Sequence, residues 1–152
     1  MSYRLRRGQF FQSRLLTKKG VAAKTTEATQ KATEKGVSIH WDNLSANIRT
    51  AVKNKYGERK DVIKAMNTLL SEKTPPAIEA IPKSFLQSPT KLLEWRRQIA
   101  ARGGQNFFQR FFTGTDIQTK VEGEARNVIT KEIHRLVPET ITPDKLYSFY
   151  SN

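Results

Sequence analysis

The first regular hydrophobic pattern in the chain begins at Trp41. Trp41, Leu44, Ile48 and Val52 recur at three- and four-residue spacing, which puts them on one face of a helix, and Asp42 in the first turn suits the helix dipole. Tyr56-Gly57 predicts a stop, after which Val62, Ile63, Met66, Leu69 and Leu70 line one side of a second helix while Glu58, Arg59, Asp61 and Lys64 stay wet. Together these segments predict a helical hairpin. Ser88-Pro89 reads as an N-cap followed by a proline in the first turn, opening a helix with Leu92, Trp95 and Ile99 inward and Arg96, Arg97 and Arg102 outward. Gly103-Gly104 is expected to end it. The longest helix is expected to start at Thr115-Asp116, with Ile117, Val121, Ala125, Val128, Ile129, Ile133 and Leu136 on a broad apolar stripe before Pro138. A short final turn at Thr142-Pro143-Asp144 carries Leu146, Phe149 and Tyr150. With no period-two alternation and no internal repeat, the pattern predicts an all-α fold: a helical hairpin and a further long helix joined by a proline-rich extended linker.

The intervening segments are of different kinds. Residues 21–35 consist of Ala, Thr, Lys, Glu and Gln with almost no large apolar side chain, which predicts a solvated helix or a tether rather than a core element, broken at Gly36. Four of the six prolines lie in residues 74–89. Proline removes a backbone donor and biases the residue before it away from the α region, so residues 72–89 read as an extended connector. Phe107, Phe108, Phe111 and Phe112 form an apolar run that must be buried, within this chain or against a partner. The resulting division is a basic N-terminal extension or mitochondrial targeting segment at 1–36 and a single helical domain at 37–152.

Charge sharpens the reading of the N-terminal part. Seven Lys or Arg residues (Arg4, Arg6, Arg7, Arg14, Lys18, Lys19 and Lys24) precede the first acid, Glu27. An Arg-rich, acid-free start with hydroxyl residues fits a mitochondrial import segment, although a solvated basic tail or an arm on nucleic acid or anionic lipid has the same composition. The formal net charge is +13, and setting those seven residues aside leaves +6. That removes much of the case for nucleic acid as the partner. An apolar fraction of 37% and a mean hydropathy of −0.62 predict a thin core that a partner surface completes. No apolar run is long enough to span a bilayer, so membrane association is expected to be peripheral. The absence of cysteine excludes disulfides, thiolate catalysis and Cys-ligated metal.

No phosphate-binding glycine loop, dinucleotide fingerprint, zinc-binding helix or calcium loop is present, so no catalytic, cofactor-binding or metal-binding residues are assigned and the chain is not expected to be an enzyme. His40 and His134 lie far apart and read as surface or interface side chains. Glu122 and Glu124 are two residues apart on a helix and face different ways, which makes them a poor carboxylate pair. Trp95-Arg96-Arg97 and Phe108-Gln109-Arg110-Phe111 interleave basic and aromatic residues, a pattern that stacks on bases or simply divides a wet face from a buried one.

The order of short motifs resembles subunit d of the mitochondrial F-type ATP synthase, a helical component of the peripheral stalk. Ile39-His40-Trp41 followed by Leu44 is similar to the Ile-Asp-Trp at the head of that family's first conserved helix, with His40 in place of Asp. A basic helix ending at Leu69-Leu70, then Thr74-Pro75-Pro76-Ala77-Ile78, resembles the Pro-Pro-x-Ile segment of animal members. Leu136-Val137-Pro138 and Ile141-Thr142-Pro143-Asp144-Lys145-Leu146 are similar to a Leu-Ile-Pro, Met-Thr-x-Glu-Asp-Leu stretch. The resemblance implies a structural subunit on the matrix side of the inner mitochondrial membrane, packed against other stalk subunits and supporting proton-driven ATP synthesis without chemistry of its own. The partner-packing residues expected on this reading are Trp41, Leu44, Ile48, Val62, Met66, Leu69, Trp95, Phe107, Phe108, Phe111, Val121, Val128 and Ile133. The alternatives are a mitochondrial ribosomal protein, which would place Arg96, Arg97, Arg102 and Arg110 on ribosomal RNA or an acidic partner, and an accessory subunit of another respiratory complex.

Overall fold

A computed structural model describes residues 17–73, 85–105 and 116–151. Within them the chain forms α1 (Lys18–Glu34), β1 (Ile39–His40), α2 (Trp41–Tyr56), α3 (Lys60–Ser71), β2 (Leu86–Gln87), α4 (Pro89–Gln105), α5 (Asp116–Leu136), a 3-10 turn (Pro138–Thr140) and α6 (Ile141–Ser151). The fold is all-α, as the spacing predicts. Residues 1–16, the proline-rich stretch 74–84 and the aromatic run with Phe107, Phe108, Arg110 and Phe111 lie outside the described residues.

Helix α5 is the axis of the body, because its stripe of Val121, Ala125, Ile129 and Ile133 is wholly buried and meets α2, α3 and α4. The α2–α3 hairpin closes over it. Gly57 makes the turn at φ 82°, a backbone conformation that suits glycine, while its N–H caps Lys53 O at 2.9 Å. From this turn α2 buries Trp41, Leu44, Ile48 and Val52, and α3 buries Val62, Met66, Leu69 and Leu70. On α4, Leu92, Leu93, Trp95 and Ile99 complete the same core. Ser88 caps this helix as expected, its Oγ accepting from the Lys91 N–H at 3.2 Å. Ser88→Ala is expected to lower unfolding free energy by about 1 kcal/mol in urea titration, with an unchanged denaturant slope.

Several expectations are corrected. Helix α1 is neither a tether nor a fully solvated helix: Val21, Thr25, Thr29 and Ala32 are buried, and the helix packs on α4 and α6. Its threonines satisfy themselves, Thr25 Oγ1 donating to Val21 O at 3.3 Å and Thr29 Oγ1 to Thr25 O at 3.0 Å. Back-bonding of this kind lets a polar residue be buried with little cost. The Thr33 and Thr90 hydroxyls then join α1 to the first turn of α4 at 2.8 Å.

Helix α4 ends at Gln105, one residue past the Gly103-Gly104 pair expected to end it. Glycine costs about 1 kcal/mol per residue in a helix but does not by itself force a stop. The helix predicted only as a short turn is 11 residues long, since Pro143 falls in its first turn, where a missing N–H is tolerated. A short antiparallel pairing also exists, with Ile39 opposite Gln87 and His40 opposite Leu86. Two residues a side are too few to leave an alternating signature in the sequence.

Candidate functional site

The side chains expected to meet a partner meet one another instead. Trp41, Leu44, Ile48, Val62, Met66, Leu69, Trp95, Val121, Val128 and Ile133 are all buried in this chain's own core. The physical reason is geometric, since the stripes of α2, α3 and α4 converge on α5 and leave no outward apolar face at these positions. Trp41 illustrates this: its ring lies edge-on to Phe85 at 6.5 Å and tilted to Trp95 at 5.8 Å, while its backbone N–H donates to Phe85 O at 2.8 Å. The motif at the head of α2 therefore anchors the far end of the connector to the core.

The arginines of α4 are not a free outward stripe. Arg96 is half-buried and grips Asp144 with two nearly parallel bonds, Nη1 to Oδ2 at 2.9 Å and Nη2 to Oδ1 at 3.0 Å, with Nη1 also donating to Thr130 Oγ1 at 3.3 Å. Asp144 Oδ2 lies 2.5 Å from His134 Nε2 as well. Burial pushes the Asp144 carboxyl up, but Arg96 and His134 together outweigh it and hold the group below the usual carboxylate range. Arg102 pairs with Glu72, which also accepts from Trp95 Nε1 at 3.3 Å. Arg97 alone stays exposed, donating from Nη2 to Ala22 O of α1 at 3.0 Å. Sequence reasoning missed the Asp144–His134 contact; its signal was a helix ending near Pro138 and restarting at once, which folds residues 134 and 144 back on each other.

His40 is exposed, Glu122 accepts from Gln118 at 3.4 Å, and Glu124 pairs with Lys55 at 3.3 Å, so the two glutamates do face different ways. Among the described residues no group of three or more His, Asp or Glu is placed to hold a metal ion, and no helix is long and apolar enough to cross a membrane.

A groove of about 560 Å³ lies between α1 and the α5–α6 corner. Ala28, Ala32, Val37, Leu136, Pro143 and Leu146 supply its apolar surface. Lys24 and Lys31 on α1 and Lys35 at its C-cap, seven and four residues apart, form a row along one wall. Lys31 is paired with Glu27 at 3.0 Å, whereas Lys24 and Lys35 are exposed. Small residues on α1 open this groove, because alanine at 28 and 32 leaves space that a longer side chain would fill. Compared with models of known protein families, with curated proteins and with solved structures, the chain matches none.

Proposed function

We propose that this chain is a non-catalytic structural subunit of the peripheral stalk of the mitochondrial ATP synthase, on the matrix side of the inner membrane, and that it receives a helix of a neighbouring subunit in the groove between α1 and α6. The groove carries this reading. Its apolar surface runs beside residues 21–34 of α1, about 20 Å at 1.5 Å per residue, enough for roughly four turns of a partner helix. An amphipathic helix with an apolar face toward Leu136 and Leu146 and acidic residues toward Lys24 and Lys35 complements both features.

One of the segments behind the resemblance, the C-terminal one, lies at the groove. Ile39-His40-Trp41 stands at the head of α2, and Leu136, Pro138, Thr142 and Pro143 form one wall of the groove. A small body clasped to a long helix stiffens it, since bending would have to separate apolar surfaces and readmit water. Ribosomal RNA is the less supported partner, because Arg96 and Arg102 are already committed to carboxylates within the chain.

In mitochondria solubilised with mild detergent, the protein is expected to migrate with the ATP synthase. The K24E/K35E double substitution is expected to reduce that association at least tenfold without changing the melting temperature, because both lysines are exposed. Sedimentation with ribosomal particles that RNase abolishes would sink the proposal.

A further inference from the structure

Beside the Arg96–Asp144 pair the surface dips into a second pocket of about 180 Å³. Arg96 and Arg97 enter it from α4, Arg126 and Thr130 from α5, and Asp144 and Tyr147 from α6. Arg126 and Thr130 are four residues apart and so share one helix face. Three guanidinium groups against one carboxylate leave the lining with a formal charge of +2.

That carboxylate is fully engaged. Both Asp144 oxygens accept from Arg96, at 2.9 and 3.0 Å, and one is also 2.5 Å from His134 Nε2. Arg97 is aimed by a neutral acceptor, Ala22 O at 3.0 Å, which fixes the side chain without offsetting its charge. Partial burial, then the like charge of Arg96, hold the Arg97 guanidinium below its ordinary range. A bland account makes Arg97 and Arg126 solvated surface cations. Yet Arg97 and Arg126 line one concavity with Arg96, and the one carboxylate of that lining is already held by Arg96.

We infer that this pocket binds a small dianion, a phosphate monoester or inorganic phosphate, with Arg97 and Arg126 as the direct ligands, the Thr130 hydroxyl as an additional donor and Arg96 as a charge held in place by Asp144. The double negative charge of the ligand matches the uncompensated charge of the lining, and planar guanidinium groups suit two-point contact with phosphate oxygens. The inference does not depend on membership of the stalk.

The test is titration of inorganic phosphate into the full chain at constant ionic strength, followed through the arginine side-chain N–H resonances. The expected result is a saturable one-to-one response that chloride does not reproduce and that weakens at least tenfold in Arg97→Gln and in Arg126→Gln, with circular dichroism melting of both variants unchanged. Flotation with phosphatidylcholine vesicles containing phosphatidic acid separates the two sources of the ligand. If free phosphate fails to bind but these vesicles capture the chain, and either substitution abolishes capture, the ligand is a lipid headgroup and the site stands. A linear response shared with chloride, binding unaltered in both variants, or no response to phosphate or vesicles would overturn it.

Discussion

Trp95→Ala is expected to lower the unfolding free energy by about 4 kcal/mol, the largest effect of any single truncation in the core. Trp95 is only 1% exposed, with its ring against Trp41 at the head of α2 and its Nε1 on Glu72 just past α3. Removing it opens a cavity that the helices around it fill only in part, because each is pinned by its own buried stripe. It also removes the 5.8 Å ring contact with Trp41 and the bond from Nε1 to Glu72 Oε2 at 3.3 Å. Glu72 keeps Arg102 as a partner, so no charge is orphaned and the loss is one of packing. Trp95→Phe retains a ring against Trp41 and is expected to cost less than half as much, about 1.5 kcal/mol. Urea unfolding followed by far-ultraviolet circular dichroism measures both. A Trp95→Ala cost below about 1.5 kcal/mol would mean the residue is not the keystone its burial implies.

The contrast between α2 and α1 explains which parts of this fold are legible in sequence. Trp41, Leu44, Ile48 and Val52 are large and apolar, so their spacing alone identifies the face they bury. Val21, Thr25, Thr29 and Ala32 have nearly the same spacing and are as deeply buried. They escaped notice because threonine counts as polar until its hydroxyl is known to donate back to the preceding turn. Burial through small residues also brings helix axes close, which is why α1 can wall a groove.

Predicting a partner surface from apolar stripes fails here for a related reason. A stripe shows that a helix face must be covered, and says nothing about whether another part of the same chain covers it. In this chain α5 does so for α2, α3 and α4. The groove was hidden for the opposite cause, since it is made by what is missing at Ala28 and Ala32 and by the corner at Pro138 and Pro143, which only three dimensions bring together. Arg96 likewise reads as an outward cation until α6 returns Asp144 to it, 48 residues away in the chain.

Asp144→Asn is expected to cost about 2 kcal/mol at pH 7, more than an exposed pair and less than a fully buried one. Arg96 and Asp144 retain only 15% and 14% side-chain exposure, so solvent screens the pair weakly. Asparagine keeps the volume but leaves the Arg96 guanidinium, already next to Arg97, without its counter-charge. The sign of the pH dependence follows from the depressed folded-state value of Asp144. A carboxyl held below its unfolded value, about 3.9, stabilises the native state in full above that value and loses the contribution as pH falls through the folded one. Wild type and Asp144→Asn are therefore expected to differ from pH 7 down to about pH 4 and to converge below it. Arg96→Gln in the same background isolates the pair, with a coupling energy of about 1–2 kcal/mol from the double-mutant cycle at pH 7. Urea unfolding of the four proteins at pH 7 and pH 2.5 tests this, and a gap between wild type and Asp144→Asn that survives undiminished at pH 2.5 contradicts it. The same pair ties α4 to α6, and α6 walls the groove while Asp144 and Tyr147 line the smaller pocket. Losing it should loosen both concavities together, so that Asp144→Asn weakens the proposed docking of a partner helix even under conditions where the helical core stays folded.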